Sequence, residues 1–173
     1  MKEDIPEGFK LENQVIYGMR KSHPGLLEIK FHNPAKKNAI GLEPEEKVTQ
    51  IINDCQEDEE VKVIMLHGGR YFSSGNDLSV FNGKSKDGKR MSFDKLLEIA
   101  EDGVLRIMVG MLMAMTKSVK PVVAVVRGSA LGIGFTLLSH THFLYCAPEA
   151  TFMTPFMKSA QSPEGTSTLM FPQ

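Results

Sequence analysis

The sequence predicts an α/β domain whose strands pair in parallel. Apolar runs of strand length recur at GLLEIKF (25–31), VKVIMLH (61–67) and PVVAVVR (121–127). Each ends in a turn rich in glycine, asparagine or proline, and apolar residues at helical spacing come next. The spacing of these units is irregular, which argues against a solenoid of fixed period. In such a domain the carboxyl ends of the strands gather the turns on one side. The turns at Lys36, Ser74 and Gly132 are therefore expected to meet.

Taken in order, residues 1–13 read as a flexible lead-in and residues 14–173 as the core. Gln14 to Met19 reads as a short strand. In Gly25 to Phe31, Leu27, Ile29 and Phe31 alternate with polar neighbours, and His32-Asn33-Pro34 ends the run. A helix is predicted from Glu43 to Cys55, with Pro44 in its first turn and Val48, Ile51, Ile52 and Cys55 three and four apart. The acidic patch Glu57 to Glu60 reads as a solvated connection. Val61 to His67 is a strong strand, and the polar, basic segment Asn82 to Ser92 reads as a mobile loop.

From Asp94 to Met115, Leu97, Ala100, Val104, Met108, Met111 and Met115 keep helical spacing. Gly103 and Gly110 weaken that helix by about 1 kcal/mol each. Its methionines read as core filler. Pro121 to Arg127 is expected to be a fully buried strand, His142 to Cys146 a short one, and Thr151 to Met153 another.

Composition narrows the function classes. A hydrophobic share of 42%, a charged share of 24% and a net charge of -1 describe a soluble globular chain. Its basic residues are balanced and scattered, which argues against nucleic acid as the main partner. Cys55 and Cys146 are too few for a disulfide framework, and reduced thiols are expected. Neither a membrane span nor a targeting signal is visible. His140 and His142, two apart on one expected strand face, lack a third ligand, so no metal site is expected. Ser74 has no nucleophile-elbow context, and Cys146 reads as a small buried residue.

Two turns carry the chemistry. GSALGIGFTLL (128–138) follows a strand and opens a helix, where backbone N–H groups without intrahelical partners meet the positive end of the helix dipole. Taken alone, a packing turn explains it more simply. SSGNDL (73–78) also follows a strand, and an Asx-type turn is its simpler explanation. Together the two turns offer something more: main-chain donors converging on one carbonyl oxygen form an oxyanion hole.

SSGNDL after VKVIMLHGGRYF, GSALGIG after PVVAVV, and FMTPFMKSAQSPEG together resemble the enoyl-CoA hydratase/isomerase, or crotonase, superfamily. Within it the chain is most similar to the Δ3,Δ2-enoyl-CoA isomerases of the peroxisomal and mitochondrial type. The motifs stand in the family's order and spacing from about Gln14 onward. The resemblance implies a superhelix of ββα units and a fatty acyl-CoA substrate. It places the N–H groups of Asn76 and Ile133 in the oxyanion hole, and Lys36, Lys37 and Ala39 near the CoA moiety. Ser74, Gly75, Asp77, Leu78 and Gly132 would complete the substrate site. No separate cofactor is implied, because coenzyme A is part of the substrate.

By the same resemblance, the two hydratase glutamate positions are Thr136 and Phe156, neither of which can act as a base. The isomerase glutamate falls in QSPEG, which selects Glu164 as the single acid–base. Taken on its residues alone, Glu164 is a helix-start carboxylate favoured by the macrodipole. Ala160 stands where relatives commonly carry glycine. The family continues past QSPEG into further helices, so a domain lacking its C-terminal helical part, with exposed apolar surface, is expected. A homo-trimer in the peroxisome or mitochondrial matrix is implied as well. Two readings follow: an enoyl-CoA isomerase of fatty acid β-oxidation, or an inactive crotonase-like acyl-CoA-binding or assembly module.

Overall fold

The computed structural model of the chain describes residues 5–81, 83, 89–101 and 108–172. Its centre is a six-stranded sheet in the order β1 (Lys10–Glu12), β2 (Val15–Met19), β3 (Leu26–Phe31), β4 (Val63–His67), β5 (Val122–Val126), β7 (Phe143–Cys146). β1 to β3 run antiparallel, and β3, β4, β5 and β7 pair in parallel. Between β5 and β7 comes β6 (Ser129–Leu131), which leaves this sheet and pairs in parallel with β8 (Thr151–Met153).

One face of the large sheet makes the core. Ile64 and Leu66 on β4 and Val122, Ala124 and Val126 on β5 are buried, while their alternating neighbours are half-buried. The strand at 121–127, expected to be buried on both faces, is thus covered fully on one. Helix α1 (Leu42–Asp54) lays Val48, Ile51 and Ile52 on that face, and Met111 and Met115 of α3 (Val109–Lys117) are fully buried beside them. The methionine stripe is core filler there. Helix α2 (Phe93–Glu101) buries no residue, and its Leu97 is exposed. The predicted helix from Asp94 to Met115 is described at both ends, and its middle, with Gly103 and Val104, lies outside the described residues, as does most of the segment from Asn82 to Ser92.

On the opposite face the Glu28 side chain is buried. Glu28 on β3 accepts a hydrogen bond from Arg20 Nε at 2.6 Å and lies 2.9 Å from His67 Nε2. Burial outweighs Glu28's attraction and lowers the His67 pKa. The cluster satisfies a carboxylate that would otherwise be costly to bury.

Several expectations need correction. The lead-in contains β1, whose residues are exposed but extend the sheet beside β2. Residues 133–136 form α4, a single turn that continues as a 3-10 turn, Leu137–His140. His140 therefore sits on that turn and His142 precedes β7, so the two share no strand face. β7 is the sheet's edge strand and is exposed along its length, which leaves Cys146 exposed.

Candidate active site

The site is assembled by backbone pairing beyond the ends of the parallel strands. Ile40 bridges Asn76, Ser73 bridges Ala130, and Ala130 pairs with Phe152, all in parallel. Four segments far apart in the chain thus run side by side. Ile40 N–H donates to Gly75 O at 2.8 Å, Asp77 N–H to Ile40 O at 2.8 Å, and Leu131 N–H to Ser73 O at 3.0 Å.

Buried polar side chains tie the loops. Ser73 Oγ donates to Asn38 O at 2.8 Å and accepts from Gly75 N–H at 3.0 Å. Asn38 Nδ2 donates to Gly68 O at 2.7 Å and Tyr71 O at 2.8 Å, joining the turn after β3 to the loop after β4. Asn38 also has φ 58, a left-handed conformation that asparagine tolerates better than most residues.

A cleft of about 70 Å³ opens where these segments meet, lined by Asn76, Ile133 and Glu164. Ser74, Gly75, Leu78 and Gly132, all predicted to contact substrate, also line it. Pro155, Phe156, Ser159 and Gln161 complete the wall and were not singled out as substrate contacts. Among the described residues no protein acceptor is paired with the N–H of Asn76 or Ile133, although their neighbours Gly75, Asp77 and Gly132 all donate. Gly132 adopts φ 52, ψ -126, a combination open essentially to glycine alone, and its N–H donates to Met153 O at 2.9 Å. Ile133 thereby begins α4. With one turn of helix, the dipole adds little, and the N–H itself is the feature that matters.

Glu164 enters from the last segment. Thr136 Oγ1 donates to its Oε1 at 2.7 Å, and its Oε2 is buried without a hydrogen-bond partner. Burial raises the Glu164 pKa, against the Thr136 hydrogen bond and the nearby His140, which lower it. Gly165 makes the approach possible: a Cβ there would come within 2.8 Å of Thr136 Oγ1. Phe171 stacks on Phe135 with ring centroids 4.6 Å apart and helps hold the segment, including α5 (Ser167–Met170), against α4.

The lysines lie beside the cleft, outside its lining. Lys36 Nζ contacts both carboxylate oxygens of Asp77, at 2.7 and 3.0 Å, and Ser79 Oγ at 2.9 Å. Burial alone would raise the Asp77 carboxyl, but the hydrogen bonds from Lys36 and Ser79 outweigh it and hold it below its ordinary value. Lys37 Nζ sits 5.6 Å from the Tyr71 ring centroid, and Ala39 is buried. Ser74 binds this strip through its N–H to Lys37 O and its Oγ to Lys36 O.

The enoyl-CoA hydratase/isomerase family model matches residues 21–173. The chain belongs to this family. Enoyl-CoA delta isomerase 2 of Homo sapiens is 36% identical over 154 residues, covering 88% of this chain and 36% of that protein. The peroxisomal enoyl-CoA delta isomerase 3 of Mus musculus is 34% identical over 155 residues, covering 88% of this chain and 45% of that one. The chain therefore spans less than half the length of these curated relatives. Among solved structures, Pseudomonas aeruginosa OdaA matches with a TM-score of 0.74 at 26% identity, covering 93% of this chain and 58% of that one. An enoyl-CoA hydratase/carnithine racemase family structure from Magnetospirillum magneticum AMB-1 matches with a TM-score of 0.71 at 28% identity, covering 94% and 57%. The crotonase fold is thus shared over nearly all of this chain.

Missed by sequence reasoning were Ser73, Asn38 and the role of Thr136 as the hydrogen-bond donor to Glu164. Asn38 and Ser73 had a signal of sorts: polar residues between apolar stretches next to turns. Their partners, Gly68, Tyr71 and Gly75 among them, are set by the fold.

Proposed function

We propose that this chain carries isomerase chemistry of its family, moving a double bond of an unsaturated fatty acyl-CoA from C3 to the 2-trans position. The Glu164 carboxylate takes a proton from C2. The electron pair moves into the conjugated system, and negative charge collects on the thioester oxygen, which accepts hydrogen bonds from the N–H groups of Asn76 and Ile133. Glu164 then gives a proton to C4, leaving the double bond between C2 and C3. One carboxyl suffices because no water is added.

The observation that carries this reading is the state of Glu164 in the cleft lined also by Asn76 and Ile133: one oxygen held by Thr136, the other buried and unpartnered. A raised pKa suits a group that must both accept and return a proton. Preorganised N–H donors around a developing oxyanion are commonly worth about 10²-fold or more each. Lys37, beside the loop that carries Asn76, supplies positive charge for the CoA phosphates, while much of Lys36 is engaged by Asp77. The peroxisomal designation of the mouse relative supports a peroxisomal setting, with the mitochondrial matrix as the alternative, and a homo-trimer is the proposed assembly.

The test is a double-bond migration assay with a 3-enoyl-CoA, run beside a CoA-ester binding measurement. Turnover that disappears in Glu164→Gln while binding persists supports the reading, and full activity of that variant contradicts it. Binding without turnover in the unmodified chain favours the second reading, an acyl-CoA-binding or assembly module. Exposed Phe143, Tyr145, Met157 and Leu169 support that alternative, since they offer apolar surface for contacts with another protein.

A further inference from the structure

His140 is outside the cleft lining, yet it is bonded to the segment that carries Glu164. It ends the helical run that α4 opens, four residues and about one turn after Thr136. Thr136 Oγ1 holds the Glu164 carboxyl, and His140 Nε2 lies 3.0 Å from Gly165 O, the carbonyl of the next residue. Two side chains of one short run thus grip consecutive residues of the catalytic segment. Thr166 Oγ1, which donates to Gly165 O at 2.7 Å, is 3.2 Å from the same ring nitrogen. On the other side of the ring, Nδ1 lies 3.1 Å from Thr116 Oγ1 of α3.

These partners decide where the ring's protons go. A carbonyl oxygen only accepts, so Nε2 carries a hydrogen and donates it to Gly165 O whether the ring is neutral or charged. Nδ1 is different, because its partner is a hydroxyl. In the neutral ring Nδ1 accepts from the Thr116 hydroxyl. In the imidazolium it donates to Thr116 Oγ1, whose own hydrogen turns to Leu112 O, 2.8 Å away. Both forms satisfy the ring nitrogens with no heavy atom displaced. Imidazole is the side chain that changes charge between about pH 5 and 8, and here such a change leaves the grip on Gly165 intact.

We propose that His140 is a positioning residue for Glu164: its Nε2–H anchors the peptide that follows the acid–base carboxyl, and its imidazolium form brings a positive charge that favours the ionised base. This inference deepens the isomerase reading and in its kinetic arm rests on it. Burial raises the Glu164 pKa, and the Thr136 hydrogen bond and then the attraction of His140 oppose the rise. Other ionisable groups around the ring are solvated, engaged elsewhere or neutral. From α3, Lys117 is exposed. His142, two residues further on, accepts from Val122 N–H through its Nδ1 at 3.1 Å. α5, in the last segment, carries no charged side chain. On α1, which packs on α3, burial and then Glu164 push the Glu45 carboxyl up to about 8, so it is uncharged at lower pH. When His140 loses its proton, the attraction disappears and Glu164 holds its own proton more tightly.

The direct test follows the Glu164 carboxyl and the His140 ring nitrogens by NMR in the full, ¹³C- and ¹⁵N-labelled chain, with both signals assigned by through-bond correlation. In the unmodified chain the Glu164 signal is expected to show an inflection at the pH where the His140 ring loses its proton, and Nε2 is expected to stay protonated on both sides of it. A Glu164 curve that ignores the His140 titration, or a ring that loses its proton from Nε2, overturns the proposal, and neither outcome needs turnover or a folded variant. His140→Gln, whose amide can still donate to Gly165 O, is expected to remove the inflection and to move the Glu164 midpoint to higher pH. In the kinetic arm, the acid limb of kcat/KM is expected to move to higher pH in His140→Gln. A role in stability alone would lower the whole profile and leave the limb in place, and that result overturns the proposal. If the unmodified chain lacks turnover altogether, the isomerase reading fails alone, and the titration curves still decide the role of His140.

Discussion

Glu164 shows how one side chain acquires a function from its surroundings. In an unfolded chain its pKa is ordinary; here burial raises it, and Thr136 offsets part of the rise. The base must be ionised to act, so kcat/KM is predicted to fall as pH drops through a value above 4.5. Replacing Thr136 with valine removes a lowering contribution and is predicted to move that acid limb to higher pH, which a pH–rate profile measures. Glu164→Gln is predicted to lower kcat by at least ~10²-fold.

Stability follows the same sign. Glu45 and Glu164 both bind their protons more tightly folded than unfolded. Their contribution is complete below the ordinary carboxylate range and is lost as pH rises toward the folded values, about 8 for Glu45. Thermal unfolding of the unmodified chain is predicted to shift to lower temperature across that window, and Glu45→Gln to flatten the trend.

Ala160 provides a separate test. It occupies φ 51, ψ 39, a left-handed conformation that an alanine side chain disfavours. Ala160→Gly is predicted to stabilise the chain by up to about 1 kcal/mol in denaturant unfolding, because relief of strain outweighs the entropy lost by glycine. A destabilised variant would show that the turn is not strained.

Among the elements, the strands of the parallel core were legible because apolar residues alternate or run continuously there. β1 was not, since an exposed three-residue strand leaves no apolar period, and its partner β2 supplies the pairing. The helix opened by the glycine turn was legible as a helix start, and it is one turn, α4, that runs into the 3-10 segment. The buried face of α1 was partly visible in Val48, Ile52 and Cys55. Glu45 lies three residues before Val48 on the same stripe, but its neighbours Glu43 and Glu46 make it look like one more acidic residue of a helix start. QSPEG pointed to Glu164 through the family resemblance, whereas Thr136 and Ser73 needed three-dimensional pairing to acquire a role. Ser73→Ala is predicted to cost about 1–3 kcal/mol, because it leaves the Gly75 N–H and Asn38 C=O without their shared partner. It is also predicted to lower kcat through a looser Asn76 loop, and unfolding and kinetic measurements on one sample check both.

For the whole molecule, the core sits between one sheet face and helices α1 and α3, while apolar residues of β7, β8 and the last segment remain in solvent. Met157 is 95% exposed, Tyr145 63% and Leu169 62%. Surface of this kind favours association, so Tyr145→Lys with Leu169→Lys is predicted to reduce self-association in sedimentation experiments without altering the Glu164 titration.

The most direct measurement is hydrogen exchange at C2 of a bound acyl-CoA in deuterated water, followed by NMR for the unmodified chain and Glu164→Gln at equal ligand occupancy. Deuterium should enter C2 only with the unmodified chain, and a 3-enoyl-CoA should become the 2-enoyl ester there alone. Exchange at the same rate in both proteins would contradict the assignment of Glu164 as the group that moves the proton.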